Sequence, residues 1–181
     1  MNKKKAIALI SKSTGITLYQ DIDGSSWLSN GYALYNMGKF PHCDNEDEVA
    51  SVLGLTEKQV KETKITISDH FPFALGTMKR IPGLYPAGFT LKTAGRTLYI
   101  LSSNEPVSVA VDETYLKPFN SSDETSYNAY AYGDHIALIE VCYGIIEVGY
   151  ICPQCLDSVQ IDKMLKTIKV LPTEVSDDVQ L

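Results

Sequence analysis

The feature that most constrains this chain is the punctuation of its last third. Residues 107–119, VSVAVDETYLKPF, are followed by a polar break and then by residues 126–153, SYNAYAYGDHIALIEVCYGIIEVGYICP. β-Branched and aromatic residues run in short stretches cut by Gly133-Asp134 and Tyr143-Gly144, which reads as strand, a short helical segment from Asp112 to Phe119, and a meander of strands. The fold class that follows is α+β, a mainly antiparallel sheet with two or three short helices.

The rest of the chain is read in the same terms. Ala6 to Ile10 and Ile16 to Ile22 carry strand-forming residues around a turn, with Asp23-Gly24 as the next one, and the Lys3-Lys4-Lys5 run reads as a frayed terminus leading into the first strand. Asn30-Gly31 is the strongest short hairpin signal, because both residues tolerate positive φ. Asp44 is placed to cap a helix that opens on Glu46, Asp47 and Glu48 and stops near Gly54, and Thr56 with Gln59 fits a capping box for a second helix. Ile65 and Ile67 return to strand chemistry. Residues 72–95 hold so many prolines and glycines that no long regular element is expected there, and two lobes could hinge at that point. Arg96 to Ser102 and Val107 to Val111 read as strands. A final helix from Ser158 to Lys169 follows from the spacing of Ile161, Leu165 and Ile168. Residues 1–172 thus form one α+β domain and 173–181 a disordered acidic tail.

Composition narrows the function. A net charge of −6 argues against a protein that coats nucleic acid or an anionic membrane, although a local basic face remains open. Arg80 and Arg96 supply all the guanidinium, which equips the chain poorly for direct base reading. No apolar run approaches the length of a membrane span, and AIALI is cut off by Ser11-Lys12-Ser13 before it makes a signal peptide. Four cysteines without a regular spacing point to a reducing cytosol, so the expected location is cytoplasmic.

Few motifs suggest chemistry. Cys152-Pro-Gln-Cys155 has the spacing of a redox pair, but a thioredoxin-like fold must build further strands after it and the chain runs only to Leu181. The pair would need His42 and Cys43 to complete a zinc site. Asp21-x-Asp23-Gly24 opens like a calcium loop, yet the closing Glu is missing and a hairpin turn accounts for it. Asp112, Glu113, Asp123 and Glu124 stand where acids cap helices and solvate loops. No phosphate loop and no G-x-S-x-G occur, so no catalytic residue, cofactor or metal is expected.

Two patterns point to binding. Residues 49–62, VASVLGLTEKQVKE, resemble the helix-turn-helix element of bacterial regulators, with Ala50, Gly54 and Val60 at the small, turn and hydrophobic positions, and Lys58 and Lys61 as contacts. The last third resembles a domain of bacterial DNA-polymerase sliding clamps, through Val109, Val111, Tyr115 and Leu116 in SVAVDETYLKPF and Ile146, Tyr150, Ile151 and Pro153 in the closing strands. That resemblance implies a ring or partial ring of several copies, a clamp-like accessory of bacterial or phage-related, mobile-element type, with Lys117, Lys163, Lys166 and Lys169 facing DNA. The expectation is a non-catalytic binding module whose partner is a protein or another copy of the chain, with DNA a further partner and no membrane. A helix-turn-helix regulator is the alternative, and an enzyme using Cys152 and Cys155 the weakest reading.

Overall fold

The computed structural model describes residues 1–21, 24–93, 95–104, 107–119 and 124–154. The expected helix at 158–169 and the tail at 173–181 lie outside them. Within them the chain is α+β, with ten strands in one mostly antiparallel sheet and four short α-helices.

The first element corrects the sequence reading. Lys3–Ile10 is a helix, α1, because the AIALI spacing serves two periods at once, and a helix puts Ala6 and Ile10 on one buried face. Asn2 caps it by accepting from the Lys5 amide (3.1 Å). Three lysines at the positive end of a helix are electrostatically unfavourable. Burial of Ala6 and Ile10, together with donation from the Lys3 ammonium to the Met37 carbonyl, outweighs this.

Strands β1 (Gly15–Gln20), β2 (Ser26–Ser29) and β3 (Ala33–Gly38) form the expected meander. Its second turn is Asn30-Gly31, where Gly31 takes φ 85° and the Asn30 side chain accepts from the amides of Tyr32 (3.1 Å) and Ala33 (3.0 Å). Helix α2 (Glu46–Leu53) is capped by Asn45, not Asp44. Asp44 lies one residue outside, its amide donating to Glu48 Oε2 at 2.8 Å. Gly54 ends α2 in the left-handed region, and Thr56 and Gln59 close a capping box on α3 (Glu57–Glu62). The chain then returns as β4 (Lys64–Ser68), parallel to β1. This is the single parallel pairing among the described strands.

Residues 79–93 give the second correction, since Lys79–Thr93 is one 15-residue strand, β5. Its breakers bend the strand without ending it. Register shifts fall between Ile81 and Leu84, around Pro82 and Gly83, and between Pro86 and Thr90, around Gly88. Proline lacks the amide a ladder needs, so it sits where the ladder is already interrupted. The bend lets β5 pair through residues 79–84 with β8 (Thr125–Tyr132) and through residues 85–93 with β6 (Arg96–Ser102).

Strand β7 (Ser108–Asp112) runs into α4 (Glu113–Leu116), and β9 (His135–Tyr143) and β10 (Ile146–Ile151) complete the set at the turns read from sequence. The order across the sheet is β4-β1-β2-β3-β10-β9-β8-β5-β6-β7. The sheet curls until its far edge meets the chain leaving β10: Ala110 and Gln154 form a bridge, with the Gln154 amide donating to the Ala110 carbonyl at 2.8 Å. The inner face holds the main core, to which β1, β3, β7, β9, α1 and α2 all contribute. On the outer face, residues 69–78 run as a strap between β4 and β5, which six strands separate. Phe71 and Phe73 of the strap lie 5.8 Å from Tyr150, and Phe71 lies 5.5 Å edge-on from Trp27.

Candidate functional site

A carboxylate inside an apolar strand is the most site-like group in the sheet. Glu140, in the run IALIEVCY of β9, is 2 % exposed. Burial of a charge this deep requires partners, and strand pairing supplies them. Asn128 stands opposite Glu140 on β8 and donates from Nδ2 to Oε2 at 2.7 Å. Arg80, on β5, donates from Nη2 at 2.8 Å and from Nε at 3.3 Å to the same oxygen, and the Tyr130 hydroxyl reaches Oε1 at 3.4 Å. The remaining face of Asn128 accepts from the Gly83 amide at 3.2 Å. That amide belongs to the first bulge of β5, so the chain Gly83–Asn128–Glu140–Arg80 fastens the bend of β5 to β8 and β9.

Electrostatics agree with a structural role. The hydrogen bond to Glu140 holds the Arg80 guanidinium above its ordinary pKa, and burial together with Glu140 raises the Tyr130 hydroxyl. Cys142, two residues along the same face, is pushed up to about 11 by burial and then by the Glu140 charge. A thiol in that range is protonated at neutral pH and is a poor nucleophile. Tyr150 is raised by burial and by donation to Glu147 Oε2 at 2.7 Å.

The other thiols follow the same rule. Burial raises Cys43 and Cys152, with Glu48 and Asp44 adding to the effect on Cys43. Cys43 packs in the inner core and Cys152 with the outer cluster, so the sheet separates them. The Cys43 side chain turns to the Pro41 carbonyl (3.5 Å), and His42 pairs with Asp44 (3.1 Å) in solvent. Among the described residues no three His, Cys, Asp or Glu side chains converge as a metal site. Cys155 lies outside the described residues.

Two hollows beside the sheet are small. A hollow of about 20 Å³ lies beside Trp27 and Phe71, and one of about 10 Å³ beside Phe73 and Cys152. Each has room for about one water. Glu140 lines neither.

The lysines expected to touch DNA are scattered. Lys58 is exposed on α3 and paired with Glu62 at 3.9 Å, and Lys61 is exposed one turn on. Gln59 ties α3 to the C-terminal end of α1 through the Ser11 carbonyl (2.8 Å). Lys117 follows α4, where the Pro118 carbonyl accepts from Asn2 at the N-terminal end of α1. Lys58 and Lys61 therefore lie with the C-terminal end of α1 and Lys117 with its N-terminal end, and the two ends are about 12 Å apart. Lys163, Lys166 and Lys169 lie outside the described residues. Within the helix-turn-helix-like segment Ala50 and Leu53 are buried, while α3 has no buried residue.

Sequence reasoning missed Arg80, Asn128 and Glu140 as a unit. The signal was the lone acid amid apolar neighbours in β9; its partners are set by strand register, which no local pattern reveals. No helix among the described residues is long and apolar enough to cross a membrane. Comparison with protein-family models, with curated proteins and with solved structures finds no match to this chain.

Proposed function

We propose that the chain is a non-catalytic binding module, a clamp-like accessory protein that works as an assembly of several copies. The reading is carried by the β9–β10 hairpin tip, where Ile145 is 100 % and Ile146 62 % exposed beside the exposed Tyr143. Apolar side chains gathered at a tip raise the cost of staying monomeric and are relieved by contact with a partner. The ion-paired, hydrogen-bonded Glu140 and the upward shifts of the Cys43, Cys142 and Cys152 thiols support binding over catalysis. Sedimentation velocity over a concentration series tests it: the chain is expected to associate, and Ile145→Glu with Ile146→Glu to shift it to monomer. A wild-type chain that stays monomeric up to about 100 μM, well above ordinary interface affinities, removes the assembly.

The second reading, a DNA-reading regulator, is favoured by the α2–Gly54–α3 geometry with its left-handed turn and capping box. Its mark is a sequence preference in gel shifts that survives added salt.

A further inference from the structure

The turn between β2 and β3 holds the chain's one Asn-Gly pair, Asn30-Gly31. In such a pair the glycine backbone nitrogen has no side chain beside it and can attack the asparagine carboxamide. The Gly31 N–Asn30 Cγ bond forms, and the carboxamide nitrogen leaves as ammonia with the proton that the Gly31 nitrogen gives up. Water then opens the five-membered imide to aspartate or isoaspartate. No electrons are transferred and water is the sole co-reactant.

The folded turn engages every atom this reaction needs. The attacking nitrogen of Gly31 donates its proton to Ser29 Oγ at 3.0 Å, and Ser29 is 8 % exposed. The leaving nitrogen, Asn30 Nδ2, donates to Ser13 Oγ at 3.2 Å, and the Ser13 amide is itself bonded to the Ile10 carbonyl of α1 at 2.9 Å. Asn30 Oδ1 accepts from the amides of Tyr32 (3.1 Å) and Ala33 (3.0 Å). The frame around them is fixed by the Asn30 amide on the Ala33 carbonyl (3.3 Å) and by the Cys152 amide on the Tyr32 carbonyl (2.8 Å). Two amides on Oδ1 would by themselves ease attack, by taking up the negative charge that gathers there. Closing the ring, however, draws Cγ onto the Gly31 nitrogen, so Oδ1 leaves both amides as the Ser29 bond breaks. Reaction therefore waits for local opening of the turn.

We infer that Asn30 is a deamidation site guarded by the fold, closed in the native turn and reactive once that turn opens. The two products differ in effect. Aspartate keeps the backbone path, and its carboxylate still accepts from the Tyr32 and Ala33 amides. Isoaspartate routes the backbone through the side-chain carbon, which displaces Gly31 from Ser29 and the Tyr32 carbonyl from the Cys152 amide, the bond that ties this turn to the chain leaving β10.

The test follows Asn30 in the full chain by peptide mass mapping at neutral pH, with a synthetic peptide of residues 26–36 giving the unguarded rate in the same buffer. The folded chain is expected to react at least about tenfold more slowly than the peptide, the effect of about two ordinary hydrogen bonds. Ser29→Ala, which frees the Gly31 nitrogen, speeds the folded chain at least about threefold, the effect of one such bond. Ser13→Ala frees the leaving nitrogen without altering the sheet and speeds it in the same direction. Circular dichroism confirms that each variant is folded. A folded chain that deamidates as fast as the peptide, or serine variants that both keep the wild-type rate, overturns the guard.

Discussion

Gly149→Ala adds one carbon at the most crowded point of the sheet. A Cβ there would stand 2.4 Å from Phe119 Cζ, 2.6 Å from Phe119 Cε1 and 2.7 Å from the Leu34 carbonyl oxygen. Carbon atoms rest about 3.5–4.0 Å apart, so the Phe119 ring must retreat by about 1 Å. It has little room: Phe119 is 7 % exposed and its ring packs against Tyr35 at 5.2 Å. The Leu34 carbonyl is backbone of β3, and β10 pairs with β3 through Gly149–Tyr35 and Tyr150–Leu34, so it cannot yield without disturbing that pairing. Overpacking costs about 1–3 kcal/mol, and two obstacles, one of them backbone, place this change near 3 kcal/mol. With a urea slope of about 2 kcal/mol/M, the unfolding midpoint falls by about 1.5 M. Phe119→Ala alone leaves a cavity and costs about 3 kcal/mol. In the double variant the new methyl occupies part of that cavity, so the combined loss falls below the sum of the two single losses by at least about 1 kcal/mol. A Gly149→Ala midpoint within about 0.25 M of wild type, or strict additivity in the double variant, refutes the close-packing argument.

Two further perturbations bear on the Glu140 network. Arg80→Ala leaves Glu140 buried without its cation, held by neutral donors such as Asn128 and Tyr130; because Arg80 is half exposed, urea unfolding should register about 2–3 kcal/mol of destabilisation, below the full cost of a broken buried pair. Cys142 holds its proton more tightly folded, at about 11, than unfolded, so its contribution is complete below about pH 9 and is lost as pH rises through the folded value. Melting temperature should therefore fall more steeply between about pH 9 and pH 11 in wild type than in Cys142→Ala, and parallel curves would exclude the thiol as a source.

Where local chemistry decides the structure, the sequence is legible. The Asn30-Gly31 hairpin, the Gly54 stop, the Thr56–Gln59 box and the turns bounding β9 lie where the residue types place them, because each is settled within a few residues. Two elements are misread for opposite reasons. Ala6 and Ile10 fit both a helix and a strand, and only the inner face of the sheet chooses between them. Pro82, Gly83, Pro86 and Gly88 look like strand breakers, but tertiary pairing on two sides carries β5 through them, with the Asn128 side chain accepting from the bulged Gly83 amide. The site residues were the least visible. Arg80, Asn128 and Glu140 are joined by strand order and register, properties of the whole chain.

The position of β10 has a consequence for synthesis. It lies between β3 and β9, so the two halves of the sheet are joined by the last described strand to leave the ribosome. Until residues 146–151 emerge, the nascent β1–β3 meander keeps an open ladder along β3, with Leu34 and Tyr35 lacking the neighbour that later packs against them. A chain stalled or truncated before Ile146 would carry two incomplete half-sheets, each with a fresh edge available for mispairing.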